Sequence, residues 1–407
     1  MSLRILSASP RLCERSPMYA ACRLALFTLA LIATATPLFA AEEKKADSPK
    51  PTNIPAPPAY AEPTDESDQY AVETLLTGLD NPCGVVVRNP IADGAPYEIF
   101  VAESGAGRIL RVTSDKPSES TPAVTGIPVD SYGDAEKDEP EYRIGPLGMV
   151  FMTQTKLVVG TAGLPQGEDL IVVYSLPADG SPLTYEQQDH AVGPIPIGPK
   201  TTCGEGNFYG LAKTDDALFV TSNGDDDEAW VLKARITANK LFDLQPFIAT
   251  KRLVGTTGPT AATVNPKKNS HYLVISQMAD LEKERDSLIT FYSPQSGKLA
   301  MNLQTGLYDI SGLAYSPTDN LYAVDVVRAD SALGGVYRID AAQVEGRASC
   351  RAVKIAPAER PTALAFSPDG AMYVTALGTR QAPDGEPTGV LLKITPKASA
   401  NGQKNSF

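Results

Sequence analysis

Histidine is scarce: two residues in 407. His190 reads as part of an outer strand and His271 as the start of a second strand, so neither is placed to act as a general base at a central site. The patterns G-x-S-x-G, H-E-x-x-H and G-x-G-x-x-G are absent, which removes the serine-hydrolase elbow, the zinc-protease helix and the dinucleotide loop. No C-x-x-C or Cys/His spacing points to zinc. Basic residues are outnumbered, 36 against 48 acidic. That deficit excludes a phosphate-backbone binder, which needs a basic footprint, and an anionic membrane surface as partner. Long apolar runs are missing too. The run over residues 24–39 is shorter than the ~20 residues of a spanning helix.

That run has another meaning. Arg4, Arg11, Arg15 and Arg23 precede it and Ala40-Ala41 follow, the order of an export signal. Met18 is the expected start, because it gives a signal of ordinary length. Cys22 precedes the apolar run, so a lipoprotein attachment is excluded. Removing residues 1–41, with their four arginines and Glu14, takes the net charge from −12 to −15. The expected location is secreted or periplasmic. Cys83, Cys203 and Cys350 then remain, which leaves open one disulfide and one free thiol, with the pairing undetermined.

Residues 42–68 are rich in proline and charge and poor in large apolar groups, so they read as a linker. Residues 397–407 read as a flexible tail. Between them, residues 69–396 carry a repeat. SGLAYSPTDNLYAVDVVRADSALGGVYRID (311–340) and TALAFSPDGAMYVTALGTRQAPDGEPTGVLLKIT (362–395) share one grammar: strand, turn, strand, longer loop, strand. Four earlier copies follow it. A small residue sits inside each first strand, at Gly84, Gly148, Gly210, Ala261, Gly312 and Ala363, with spacings of 64, 62, 51, 51 and 51. Such a period is the signature of a propeller. The expected fold is all-β: a six-bladed β-propeller with four-stranded blades. The last repeat lacks a fourth strand, and YAVETLLTG (70–78) has nothing to pair with. Joining them closes the ring and hides the sheet edges.

In a propeller the connections between blades share one face with the loops between second and third strands, and ligands usually meet that face. The extra length of the two early intervals falls mainly in segments 114–144 and 175–206. The residue three before each small residue should line the channel mouth: Asn81, Gly145, Asn207, Gly258, Asp309 and Arg360. Asn81, Asn207, Asp309 and Arg360 are therefore the candidate ligand contacts. Glu103 and Asp325, at the exits of second strands, join the candidates and are expected to bond turn amides. Asp225-Asp226-Asp227-Glu228 clusters oxygens of the kind Ca²⁺ takes. The spacing is not an EF-hand loop and fits a solvated turn better, so calcium is the one cofactor left open and no metal ligand is assigned. Cys83, at the entry of a first strand, is expected to be a buried structural thiol.

At GLDNPCGVVV (78–87), YEIFVAESGAGRILRV (97–112) and GLAYSPTDNLYAVD (312–325) the chain resembles NHL-type six-bladed propellers. It also resembles the broader group of gluconolactonase-like and sugar or sorbosone dehydrogenase-like proteins. Two activities are implied by that likeness: a metal-dependent lactonase-type hydrolysis and a quinone-dependent sugar oxidation. The lactonase pattern has Asn directly before first-strand glycines. Here those positions are Cys83, Leu147, Tyr209, Thr260, Ser311 and Thr362. The dehydrogenase pattern needs a histidine near the cofactor, and none follows GLDNPCG. The expectation is an exported, monomeric propeller that binds a small polar ligand or a protein partner. Nucleic acid is not an expected partner.

Overall fold

The computed structural model describes residues 57, 59–132, 142–222, 228–265, 272–279, 283–327, 330–378, 386–398 and 407. The signal segment, Asp225–Asp227 and His271 lie outside them. Six antiparallel sheets form six blades. Their first strands are Pro82–Arg88, Pro146–Phe151, Leu211–Lys213, Pro259–Val264, Ile310–Tyr315 and Pro361–Phe366. Each first strand touches the next, and the sixth touches the first, so the ring is closed.

Closure uses the partner expected from sequence. Tyr70–Leu79 is the outer strand of blade six, antiparallel to Gly389–Pro396, with Tyr70 opposite Pro396 and Leu79 opposite Gly389. Leu75 and Leu79 of that strand are buried. The first and last parts of the chain thus share one sheet.

The structure departs from the sequence reading at both flanks. Ala61–Asp65, inside the expected linker, runs parallel to Arg347–Pro357 and adds a fifth strand to blade five. Main-chain pairing is a contribution that composition cannot show. At the other end Phe407 is buried, stacks on Tyr70 at 5.4 Å and packs edge-on against Tyr322 and Phe366. The expected tail therefore has a docked last residue.

There is no single core. Apolar side chains form a wedge between each pair of blades. Phe100, Ile109 and Val124 of blade one meet Leu157, Val159 and Tyr174 of blade two, and the other five interfaces repeat the plan. Each large buried side chain contributes about 1.5–3 kcal/mol, and half of each wedge comes from a neighbouring blade.

The small residues of the first strands have a geometric cause. A Cβ on Gly84 would stand 2.2 Å from the Leu147 carbonyl oxygen, and one on Gly148 would stand 1.9 Å from that of Tyr209. Neighbouring inner strands approach closer than a side chain permits.

The extra length is more divided than the spacing implied. Residues 126–145 form the first insertion, with Asp130–Tyr132 paired to Tyr142–Ile144. Residues 193–210 form the second, held by the bridges Ile195–Glu205 and Gly198–Thr201. Between these, residues 176–189 link the third and fourth strands of blade two. They carry Leu183–Thr184 across to blade one as its fifth strand. That portion leaves the blade at the opposite end from the connections between blades.

Candidate functional site

At the channel mouth four of the six positions before the first strands share a backbone role. Asn81, Asn207, Gly258 and Arg360 have φ of 51, 51, 70 and 50°. This left-handed region is open to glycine and tolerated by asparagine. The asparagines chosen as ligand contacts are thus also selected by the turn that starts each inner strand.

Their side chains, and those at the second-strand exits, bond mostly to the connecting loops. Asn81 Nδ2 donates to the Arg143 carbonyl at 2.7 Å, tying the first insertion to blade one. Beside it, the Arg143 guanidinium lies 3.8 Å from the Asp80 carboxylate. Glu103 is buried; it accepts from the Asp80 amide at 2.9 Å and pairs with Arg108. Burial pushes the Asp80 carboxyl above its ordinary range. In blade five, Asp325 accepts from the amides of Tyr308 and Asp309 at 2.9 and 2.7 Å. Burial raises Asp325 to about 6 despite those donors. Glu103 and Asp325 therefore bond turn amides as expected.

Blades two and three pair the second-strand exits Thr161 and Ser222 with two acids the sequence reading did not name, Asp169 and Glu205. Asp169 accepts from the amides of Asn207 at 3.0 Å and Leu164 at 3.1 Å, and from the Thr161 hydroxyl at 3.4 Å. Burial outweighs these donors and raises Asp169 to about 7. Ser222 accepts from the Gly206 amide at 3.2 Å and donates to the buried Glu205. The second insertion is pinned by this pair of anchors. In blade four, the fully buried Gln277 amide makes no hydrogen bond.

The candidate residues are thus distributed around the ring. Glu103 joins the loop of Asn81, and Asp325 joins Asp309, while Asn207 and Asp309 are themselves buried. Arg360 stands apart: half-buried, with its Nε buried and making no hydrogen bond. His190 lies on the outer strand of blade two, as expected, where Nε2 accepts from the Leu241 amide at 3.0 Å. Burial lowers its pKa.

Below the mouth, the positions preceding the small residues divide in two. In blades four to six, Thr260 donates to the Ile310 carbonyl at 2.6 Å, Ser311 to Pro361 at 2.7 Å and Thr362 to Pro82 at 2.7 Å. Each hydroxyl stitches its blade to the next. In blades one to three the same positions are Cys83, Leu147 and Tyr209. They pack with Ile144, Ala162, Met278 and Val326 in an apolar cap. Tyr209 crosses the channel from blade three, and its hydroxyl donates to the Thr362 carbonyl of blade six at 2.7 Å. A small cavity of about 90 Å³ adjoins it, lined by inner strands of every blade. Tyr209 was legible as the single aromatic among the six pre-glycine positions.

Two cofactor classes can be set against this geometry. Among the described residues no three His, Cys, Asp or Glu side chains gather to hold a metal. A planar redox quinone would have to lie over the mouth, where Tyr209 and its cap stand, and the described histidine is on an outer strand. The residues present do not fit the quinone.

No family model matches the chain, and no curated protein matches it. Solved structures do. A glucose dehydrogenase aligns with a TM-score of 0.51 and 16% identity, over 80% of this chain and 100% of that one. A putative glucose dehydrogenase-type oxidoreductase from Thermus thermophilus aligns at 0.50 and 17%, over 80% and 99%. The chain is a six-bladed β-propeller, and its neighbours lie on the sugar-dehydrogenase side of the resemblance. At such identity the likeness concerns the fold alone.

Proposed function

We propose that this protein is an exported binding propeller presenting a preformed loop face over blades one to three to a small polar ligand or a protein partner. The observation that carries this reading is how the polar mouth residues are spent. Asn81, Asp169 and Ser222 hold the two insertions in place through the Arg143 carbonyl and the Asn207 and Gly206 amides. A loop so anchored loses little further entropy on binding, which favours recognition. Arg360, a half-buried cation at the mouth, is the ligand contact proposed with Asn81, Asn207 and Asp309. Metal-dependent lactonase-type hydrolysis and quinone-dependent sugar oxidation are the alternative readings that the test separates from binding.

The test uses purified mature protein. Metal analysis is expected to show no stoichiometric ion. A panel of lactones, esters and, with added quinone and dye, aldoses should give no turnover. Hydrogen exchange in the presence of periplasmic or culture-medium extract should slow in residues 126–132, 142–145 and 193–208. Turnover dependent on a bound metal or on the quinone would overturn the binding reading. Cell fractionation checks export.

A further inference from the structure

We propose that Tyr209 is a plug that closes the channel at the loop face, shutting the cavity beside it off from anything bound there. Three observations carry this. Among the described residues, the Tyr209 side chain makes a bond that joins opposite sides of the ring, blade three to blade six. Its ring sits in a cap of Leu147, Ile144, Met278 and Val326, so the gap around the phenol is filled with apolar atoms. And the cavity is large enough, at about 90 Å³, for several water molecules. Its walls are inner strands whose channel-facing main-chain groups have no further strand to pair with. Water is the ligand such a space takes, because it is small and those main-chain groups need partners.

The plug rests on a single polar bond. Remove the hydroxyl and the ring still fills the mouth, but nothing fixes it to blade six. Losing one buried hydrogen bond is worth about a tenfold shift in an opening equilibrium.

Two thiols already in the chain report on this. Cys83 lines the cavity next to Tyr209; Cys350 is buried on the outer strand of blade five. Burial pushes both to about 12, so neither is an activated thiolate. The experiment is labelling with methyl methanethiosulfonate, read by peptide mass spectrometry. In the unaltered protein both thiols should react slowly, because both are buried. In Tyr209→Phe, Cys83 should react about tenfold faster and Cys350 unchanged, as expected for one lost hydrogen bond. Tyr209→Ala should expose Cys83 further. If Cys83 reacts as fast in the unaltered protein as in Tyr209→Ala, the phenol blocks nothing and the proposal fails. It fails equally if Tyr209→Phe leaves Cys83 unchanged, or if both thiols accelerate together in both variants, because the opening is then that of the whole fold. None of these outcomes depends on what binds the loop face.

Discussion

Blades four to six and blades one to three close one channel by different chemistry. In the first set, repeats of equal length place Thr260, Ser311 and Thr362 at one position, and each donates to the next blade's main chain. Directional bonds of about 2.7 Å demand that regularity. In the second set, Cys83, Leu147 and Tyr209 stand at that position; apolar contact and glycine-permitted close approach carry more of the packing, and the blade three to four joint is stitched from the second strand instead, by the Thr221 hydroxyl donating to the Thr260 carbonyl at 2.6 Å. Apolar packing is non-directional, so this half carries the two insertions without loss of the ring. The half with looser repeat rules is also the half with room for recognition.

The largest effect should come from the joint that both halves share. Deleting residues 70–79 removes the outer strand of blade six and the anchor of Phe407. Cooperative thermal unfolding, followed by circular dichroism, should disappear, because an open ring exposes a wedge on each side. Retention of a sharp transition would show that the six interfaces suffice alone.

Next in size is a contrast between the halves. Gly148→Ala puts a Cβ about 1.9 Å from the Tyr209 carbonyl oxygen, and overpacking of main chain against main chain should cost about 3 kcal/mol. At the equivalent position of blade four, Ala261→Gly should cost about 1 kcal/mol or less. Urea denaturation of the two variants measures the difference, and equal costs would erase the distinction drawn between the halves.

A smaller step removes one stitch. Thr362→Val keeps the shape but leaves the Pro82 carbonyl without its hydroxyl donor, at a cost of about 1–3 kcal/mol. The stability loss should appear with no change in hydrogen exchange of the insertions.

The pH dependence is set by buried carboxyls in both halves. Asp169 is raised to about 7 and Asp325 to about 6, against 3.8 when unfolded. The folded state then binds more protons than the unfolded one between pH 4 and 7, so stability falls as pH rises through that window. Their contribution is most favourable near pH 4. Asp169→Asn should flatten the melting temperature between pH 5 and 7 more than Asp325→Asn does, since its shift is larger. An unchanged slope in both would refute the assignment.

The smallest expected effect is a gain. Arg360 holds φ of 50°, which costs a non-glycine residue about 1–2 kcal/mol. Arg360→Gly should raise stability by about 0.5 kcal/mol after the entropy cost of glycine, while weakening whatever the loop face binds.

Much of the fold was legible before any coordinates. The interval of 51 residues, the small residue in each first strand and the orphan segment at 70–78 gave the ring and its closure, because strand period and edge pairing are written in local pattern. The candidate site was legible only as positions. Asn81 and Asn207 were rightly placed at the starts of inner strands. That their backbones are left-handed, and that Asn81 reaches the Arg143 carbonyl, depends on a loop 62 residues away in sequence. Asp169 and Phe407 were missed for the same reason: each is defined by a distant partner, the Asn207 amide and the Tyr70 ring.

By itself the sequence determined the number of blades, their order and where the chain's first strand must return, since repetition and unpaired edges are local properties. Only the tertiary structure decided what spans the channel. Tyr209 meets the Thr362 carbonyl across 153 residues of sequence. No local rule connects them; they meet because ring closure brings blades three and six face to face across a space too narrow for a phenol to avoid the opposite wall.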